Sequence, residues 1–278
     1  MKILRWDLLH TDECRALIER LCKGKRGTAL TIGGFDGPHM GHEALFSAVS
    51  DNAASMGLAP GIVTFAQSPG ARKKGENYPG DVSTLNLRLS AFETAGFDFV
   101  LLIDFSIDFS KMTGGVFFEI LVKTVCMRYL AVGPDFRCGH RLDTGVAEIM
   151  AISKRDGFRF DSIRQIELEG MRISSSAIRK AVQSADFALA ERLLGHPFLL
   201  DFTAPTWLAH PGYLEASAGS FSQILPRRGR YSVVLTTVRG DEASAILVVA
   251  DEDVTLMPGE GKSLPAGRDI ATVEFRLS

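Results

Sequence analysis

Residues 31–45 read TIGGFDGPHMGHEAL, with glycines crowded just ahead of two histidines, His39 and His42. An imidazole donates hydrogen bonds to phosphoryl oxygens, more strongly when protonated. At i and i+3 the two rings share one side of a helical or turned segment. Gly33, Gly34 and Gly37 permit a tight turn and close approach of backbone to a ligand. The apolar positions Leu45, Phe46, Val49, Ala53 and Met56 follow at helical spacing. A helix start offers unpaired N–H groups and the positive end of its dipole, a seat for phosphate. The plainer alternative is a glycine turn carrying surface or core histidines. Helical zinc ligands usually sit four apart with a glutamate between, as in His-Glu-x-x-His, so no metal site is predicted here.

A second stretch, RISSSAIRKAV, has the same logic. Ser174, Ser175 and Ser176 are good N-cap residues ahead of a helical run. Arg179 is expected in the first turn, where a cation meets the positive dipole end. A bound phosphate would relieve that conflict; the alternative is a capped helix with a solvated arginine. Two further loops follow β-type runs: VGPDFRCGH after RYLAV, and VTFAQSPG closing GIVTF. The stretch GARKKGENYPG beyond the latter is polar and glycine-rich, as in a surface loop, and Arg72, Lys73 and Lys74 read as a solvated charge run.

These loops need a scaffold. TALTI, GIVTF, FDFVLLIDF, RYLAVG and FDSIRQIEL read as strands, the third a continuous apolar run suited to burial on both faces. Helical patterns follow from Glu43 and in LNLRLSAFETAG, GGVFFEILVKTVC and TGVAEIMAISKRDG, two of them ending at Gly96 and Gly157. This alternation predicts an α/β fold with a Rossmann-like, doubly wound parallel sheet over residues 1–199. ISSSAIRKAVQSADFALAERLLGHPF reads as two helices broken near residues 184–186. From about residue 200 prolines and glycines separate YSVVLTTV, SAILVVAD, VTLM and IATVEFRL, which predicts a small all-β, barrel-like domain over 200–278.

The chain has 278 residues and a net charge of −2, which argues against nucleic-acid binding driven by bulk electrostatics. No apolar run approaches the ~18 residues of a membrane span, so no membrane partner is predicted. The N-terminus lacks the apolar stretch of a signal peptide, and Cys14, Cys22, Cys126 and Cys138 form no Cys-x-x-Cys pair. Free thiols and a cytoplasmic location are therefore expected.

GGFDGPHMGH resembles the signature turn of the His-x-Gly-His nucleotidylyltransferase superfamily, with Met40 as the variable residue. Its Phe-Asp-Gly narrows the likeness to the FAD synthetase module of bacterial bifunctional riboflavin kinase/FAD synthetases, over roughly residues 27–200. The resemblance implies adenylyl transfer from ATP to FMN, giving FAD and pyrophosphate, with Mg2+ accompanying ATP. It implies catalytic roles for His39, His42 and Arg179. ISSSAIR is similar to the family's Ile-Ser-Ser-x-x-Ile-Arg, which implies that Ser174 and Ser175 contact ATP, together with Gly33, Phe35, Asp36 and Gly37 of the turn. GPDFRCG is similar to Gly-x-Asp-Phe-Arg-Phe-Gly, with Cys138 where phenylalanine is usual. Gly133 and Arg137 are thereby implied on the ATP side, Asp135 and Phe136 on the flavin side. The family's Thr-Phe-x-Pro-His-Pro loop is altered: Thr64, Phe65 and Pro69 are present as flavin-binding candidates, while Gln67 and Ser68 replace Pro and His.

LPRRGRYSVVLTT resembles a strand of the riboflavin kinase barrel, but the Pro-Thr-Ala-Asn motif that binds ATP and magnesium there has no counterpart. The expectation is a degenerate barrel without kinase activity. Two other readings stay open at this level: adenylyl transfer to a different phosphate acceptor, and a non-catalytic flavin- or nucleotide-binding protein.

Overall fold

The structure is a computed structural model, and it describes residues 1–67, 78–104, 107–164 and 166–276. Contacts divide the chain into two compact units: residues 1–35, 41–72 and 88–167 in one, and 36–40, 73–87 and 168–278 in the other.

The first unit is built on a parallel sheet. Its strands among the described residues are Lys2–Arg5 (β1), Thr28–Ile32 (β2), Ala59–Phe65 (β3), Phe99–Ile103 (β4), Met127–Val132 (β5) and Arg159–Ser162 (β8), in the order β1-β4-β3-β2-β5-β8. Every pairing is parallel. All five residues of β2 and all five of β4 are buried, as a sheet covered on both faces requires. Neighbouring residues along a strand point to opposite faces. Leu30, Val63, Leu101 and Leu130 join Phe117, Phe118, Leu121 and Ile149 on one face. Ala29, Ile62, Val100 and Tyr129 join Phe46, Val49, Ala53 and Phe92 on the other. The helices Asp12–Cys22, Gly114–Lys123 and Val146–Asp156 supply the first layer, and Met40–Met56 and Leu85–Thr94 the second. Thr11 and Thr113 cap two of them through hydroxyls that accept from Cys14 N and Val116 N, and left-handed Gly157 ends a third.

The chain steps outward from β2 to β3 to β4, then returns to place β5 on the other side of β2. That reversal is the place where open α/β sheets bind ligands, beyond the carboxyl ends of the strands. Gly33 follows β2 there and Gly133 follows β5.

Some expectations are corrected. FDSIRQIEL is not one strand: β8 stops at Ser162, opposite Val132, because β5 ends there and offers no further ladder. Glu167–Leu168 (β9) instead pairs with Met171–Arg172 (β10). The first long helix begins at Met40, ahead of Glu43. Arg137–Cys138 (β6) and Thr144–Gly145 (β7) form a small antiparallel ribbon after β5.

The second unit holds an antiparallel sheet in the order β11-β17-β14-β15-β16-β13-β12. These strands are Leu199–Asp201 (β11), Leu208–His210 (β12), Tyr213–Ser217 (β13), Gly229–Thr237 (β14), Glu242–Val249 (β15), Asp253–Pro258 (β16) and Ile270–Phe275 (β17). The helices Ser175–Gln183 and Phe187–Leu194 pack into the same core, where Phe187 stacks on Phe275 with ring centroids 4.3 Å apart. All four cysteines are free thiols. No helix among the described residues is long and apolar enough to cross a membrane.

Candidate active site

In the first unit the glycine turn leaves β2 under tight constraint. Gly33 N donates to Val63 O at 3.1 Å, and a Cβ on Gly33 would lie 2.9 Å from the Phe35 ring. Phe35 itself takes a left-handed φ of 46°. That conformation costs about 1 kcal/mol for a residue with a side chain, and burying the ring offsets it. Phe35 is 3% exposed and packs edge-on against Phe92, so its side chain belongs to the core. His42 stands in the first turn of Met40–Met56, with its ring 5.1 Å from Phe35 and stacked on Phe46 at 6.3 Å. Aromatic packing on two sides sets the plane of that imidazole.

Arg88 underlies the same turn, and nothing in the motifs pointed to it. Arg88 is 1% exposed. Nη1 donates to Gly34 O and Phe65 O, both at 3.0 Å, and to Thr64 Oγ1 at 3.3 Å; Nη2 donates to Ala66 O at 3.2 Å. One planar cation thus ties together the chain leaving β2 and the chain leaving β3. Thr64 is fully buried, and its hydroxyl also donates to Gly34 O. Phe65 is half-buried against the core. Pro69, the third residue implied for this loop, lies outside the described residues, as do Arg72, Lys73 and Lys74. The one sequence signal for Arg88 was a lone arginine inside the apolar pattern of LNLRLSAF.

Beyond β5, a side chain on Gly133 would meet nothing within 4 Å. Asp135 is exposed and Phe136 packs against the core. Arg137 is exposed, and its Nε donates to Leu142 O at 3.1 Å across the β6–β7 ribbon. Burial pushes the Cys138 thiol up to about 12, so it stays protonated.

The second unit gathers the rest of the turn with the serine motif. Asp36 is buried, and its Oδ1 accepts from Val82 N at 2.8 Å and Ser83 N at 3.1 Å. Its Oδ2 accepts from Arg179 Nη2 in an ion pair. Burial pushes the Asp36 carboxyl up to about 6 against the pull of Arg179 and the two amides, with nearby Asp81 adding to the rise. Gly37, with a φ of +64°, donates its N–H to Ser83 Oγ at 2.8 Å, and a Cβ there would collide with Val82. His39 is 7% exposed, and burial pushes its imidazole down to about 4, so the ring is neutral at neutral pH.

Ser174 caps Ser175–Gln183 by accepting from Ala177 N at 3.3 Å. Ser175 Oγ donates to Asp36 O at 2.7 Å, which joins the serine motif directly to the glycine turn. Arg179 is the fifth residue of this helix, and its charge is met within the chain: besides Asp36, Nη2 donates to Tyr78 OH at 2.8 Å and Nε to Gly80 O at 2.8 Å. The guanidinium also lies over the Tyr78 ring, 5.2 Å from its centroid. Asp36, Ser175 and Arg179 are therefore brought together; Tyr78, Gly80 and Ser83 complete their surroundings and carry no sequence signal of their own. Among the described residues no group of three or more His, Cys, Asp or Glu could hold a metal ion.

A model of the FAD synthetase family matches residues 22–177. The bifunctional riboflavin kinase/FMN adenylyltransferase of Haemophilus influenzae is 35% identical over 174 residues, covering 62% of this chain and 56% of that protein. Its namesake in Escherichia coli K12 is 33% identical over 177 residues, covering 63% and 56%. The chain thus matches little more than half the length of these relatives. Among solved structures, a macrolide-efflux protein from Streptococcus pneumoniae superposes with a TM-score of 0.73 over 91% of this chain and 94% of that one. At 22% identity that likeness establishes the fold.

Proposed function

The chain belongs to the FAD synthetase family, and from that premise we propose that it is an FMN adenylyltransferase, converting ATP and FMN to FAD and pyrophosphate. A terminal phosphate oxygen of FMN attacks the α-phosphorus of ATP, the new P–O bond forms, and the bond to the β-phosphate oxygen breaks. The work left to the protein is positioning and neutralising charge on phosphoryl oxygens.

The observation that supports this best is the bond from Ser175 Oγ to Asp36 O. It ties the two phosphate-seat motifs of the sequence to each other. In this reading Ser174, Ser175 and Arg179 serve the triphosphate of ATP. Ser174 and Ser175 lie at a helix start, where N–H groups and the dipole favour anions. His42 donates to the charge building at the α-phosphate from an orientation fixed by Phe35 and Phe46. His39 acts as a neutral donor, because its burial disfavours the imidazolium. Gly133 admits close approach of the backbone to the nucleotide, Gly33 and Gly37 serve ATP by letting the turn close on Phe35 and Val82, and Arg137 is assigned to the nucleotide side of its loop. Phe35 and Asp36 act indirectly, the first by holding His42 and the second by holding Arg179. On the flavin side, Asp135 and Phe136 are the contact candidates, with Pro69. Thr64 and Phe65 act through the loop that Arg88 ties down.

Magnesium would arrive with ATP and take its ligands from phosphates and water. The described residues build no cage for it.

Incubation with ATP, magnesium and FMN, followed by chromatography, is expected to yield FAD and pyrophosphate. Nicotinamide mononucleotide, phosphopantetheine and glycerol phosphate, offered in parallel, are expected to remain unadenylylated. FMN binding without any FAD would favour the non-catalytic reading, for which Gln67 and Ser68 in the altered loop are the motive. Riboflavin with ATP is expected to give no FMN, since the Pro-Thr-Ala-Asn motif of the kinase is missing.

A further inference from the structure

Residues 78–84 run as an irregular strap ahead of the helix Leu85–Thr94, and backbone groups in such a segment must find partners outside regular structure. On one side those partners lie at residues 222–224, in the connection between β13 and β14 of the C-terminal sheet. Asp81 N donates to Ser222 O at 2.8 Å, and Asp81 O accepts from Ile224 N at 2.7 Å. Between these bonds sits Gln223, 3% exposed, with every arm of its amide engaged. Nε2 donates to Val82 O and to Leu199 O, both at 2.9 Å, and Oε1 accepts from Asp201 N at 2.6 Å. Asp201, equally buried, accepts from Thr84 Oγ1 at 2.5 Å and from Thr203 N at 2.8 Å. Gly80 passes so close that a Cβ would lie 2.6 Å from Ile224 N.

The other side of the strap faces the nucleotide motifs. Val82 N and Ser83 N hold the Asp36 carboxylate, Ser83 Oγ holds Gly37 N, and Gly80 O with Tyr78 OH holds Arg179. Val82 is the hinge of this arrangement: its C=O goes to Gln223 and its N–H to Asp36.

We infer that Gln223, with Asp201, is a positioning residue for Arg179, acting through the 78–84 strap, and that the C-terminal sheet thereby takes part in adenylyl transfer. A sheet with a degenerate kinase sequence keeps a use: it supplies the fixed wall against which the strap sets Asp36 and Arg179. The proposal rests on the adenylyltransferase reading for its kinetic arm, and on geometry alone for its second arm.

The test uses the full chain carrying Gln223→Leu, which removes the amide at nearly constant volume. The KM for ATP is expected to rise about tenfold, the scale of one or two lost neutral hydrogen bonds, with the KM for FMN changed less than twofold. A merely structural role would lower the Tm and leave both KM values of the folded enzyme alone, and that result would overturn the proposal. Should Gln223→Leu fold poorly, Thr84→Val removes the Asp201 link while leaving Gln223, and Thr84→Ser should restore the wild-type KM for ATP. Hydrogen exchange at Val82 and Ser83 amides is read independently of catalysis: these should be protected in wild type and exchange at least tenfold faster in Gln223→Leu. Unchanged protection sinks the inference even if the enzyme is active. Faster exchange in Gln223→Leu, where the wild-type chain itself makes no FAD, supports the strap and counts against the adenylyltransferase reading alone.

Discussion

Asp36 and Arg179 form an ion pair across 143 residues of sequence, the carboxylate buried and the guanidinium largely so. The carboxylate comes from the glycine turn and the guanidinium from the helix behind the serine cap. Each is completed by strap groups: amides of Val82 and Ser83 on the acid, Tyr78 OH and Gly80 O on the base. Removing one member of such a pair strands the other. Asp36→Ala should lower the unfolding free energy by about 3 kcal/mol, read from denaturant unfolding. A loss under about 1 kcal/mol would mean that the pair is not buried as described. Arg179→Lys keeps the charge but cannot bridge three acceptors in one plane, so it should reproduce most of the catalytic defect of Arg179→Ala.

The pH dependence of stability should carry two opposing contributions. His39 is depressed from 6.5 to about 4, so between those values the unfolded chain binds a proton that the folded chain refuses, and stability rises with pH. Asp36 is raised from 3.8 to about 6, so between those values the folded chain binds the extra proton, and stability falls as pH rises. Each spans on the order of 3 kcal/mol, and in wild type they largely cancel. Asp36→Asn should unmask the His39 slope, with Tm climbing from pH 4 to 6.5. His39→Asn should unmask the Asp36 slope, with Tm falling from pH 4 to 6. Parallel Tm profiles for the two variants would contradict both assignments.

His42 offers a cleaner separation of catalysis from folding. It is only half-buried, so His42→Ala should shift the Tm by a few degrees at most. Loss of a well-aimed donor to the developing charge should cut kcat by roughly 100- to 1,000-fold. Steady-state FAD formation and a thermal scan on the same preparation check both halves.

Arg88 should behave as a structural cation with a catalytic echo. Arg88→Met strands the carbonyls of Phe65 and Ala66 and leaves Gly34 O and the Thr64 hydroxyl only each other, at a cost of about 3 kcal/mol. Arg88→Lys should recover part of this, since an ammonium can reach some of the acceptors without the planar fork. In the folded fraction of Arg88→Lys the KM for FMN should rise, because the Thr64–Phe65 end of β3 loses its tie. An FMN KM equal to wild type would separate Arg88 from the flavin loop.

Much of the first unit was legible because its signals are local. A continuous apolar run such as FVLLI suits a strand buried on both faces, and glycines at 96 and 157 follow helices whose periodicity is plain. The glycine turn and the serine cap stood out through residue type and spacing, and both lie at helix starts in the fold. FDSIRQIEL was misread because its residues suit a strand, while the ladder that would extend it ends at Val132 in a different part of the chain.

What spacing and periodicity settled, then, was the kind of element along most of the first unit and the helix starts at Met40 and Ser175. They could not say which anion meets Arg179 within the folded chain, that Arg88 is turned inward, or that Gln223 secures the strap over Asp36. Periodicity reports which face of an element avoids water. It carries no information on which of many distant polar groups will satisfy a buried charge or an irregular backbone, because that choice is made only when packing excludes water and leaves each donor with the acceptors in reach.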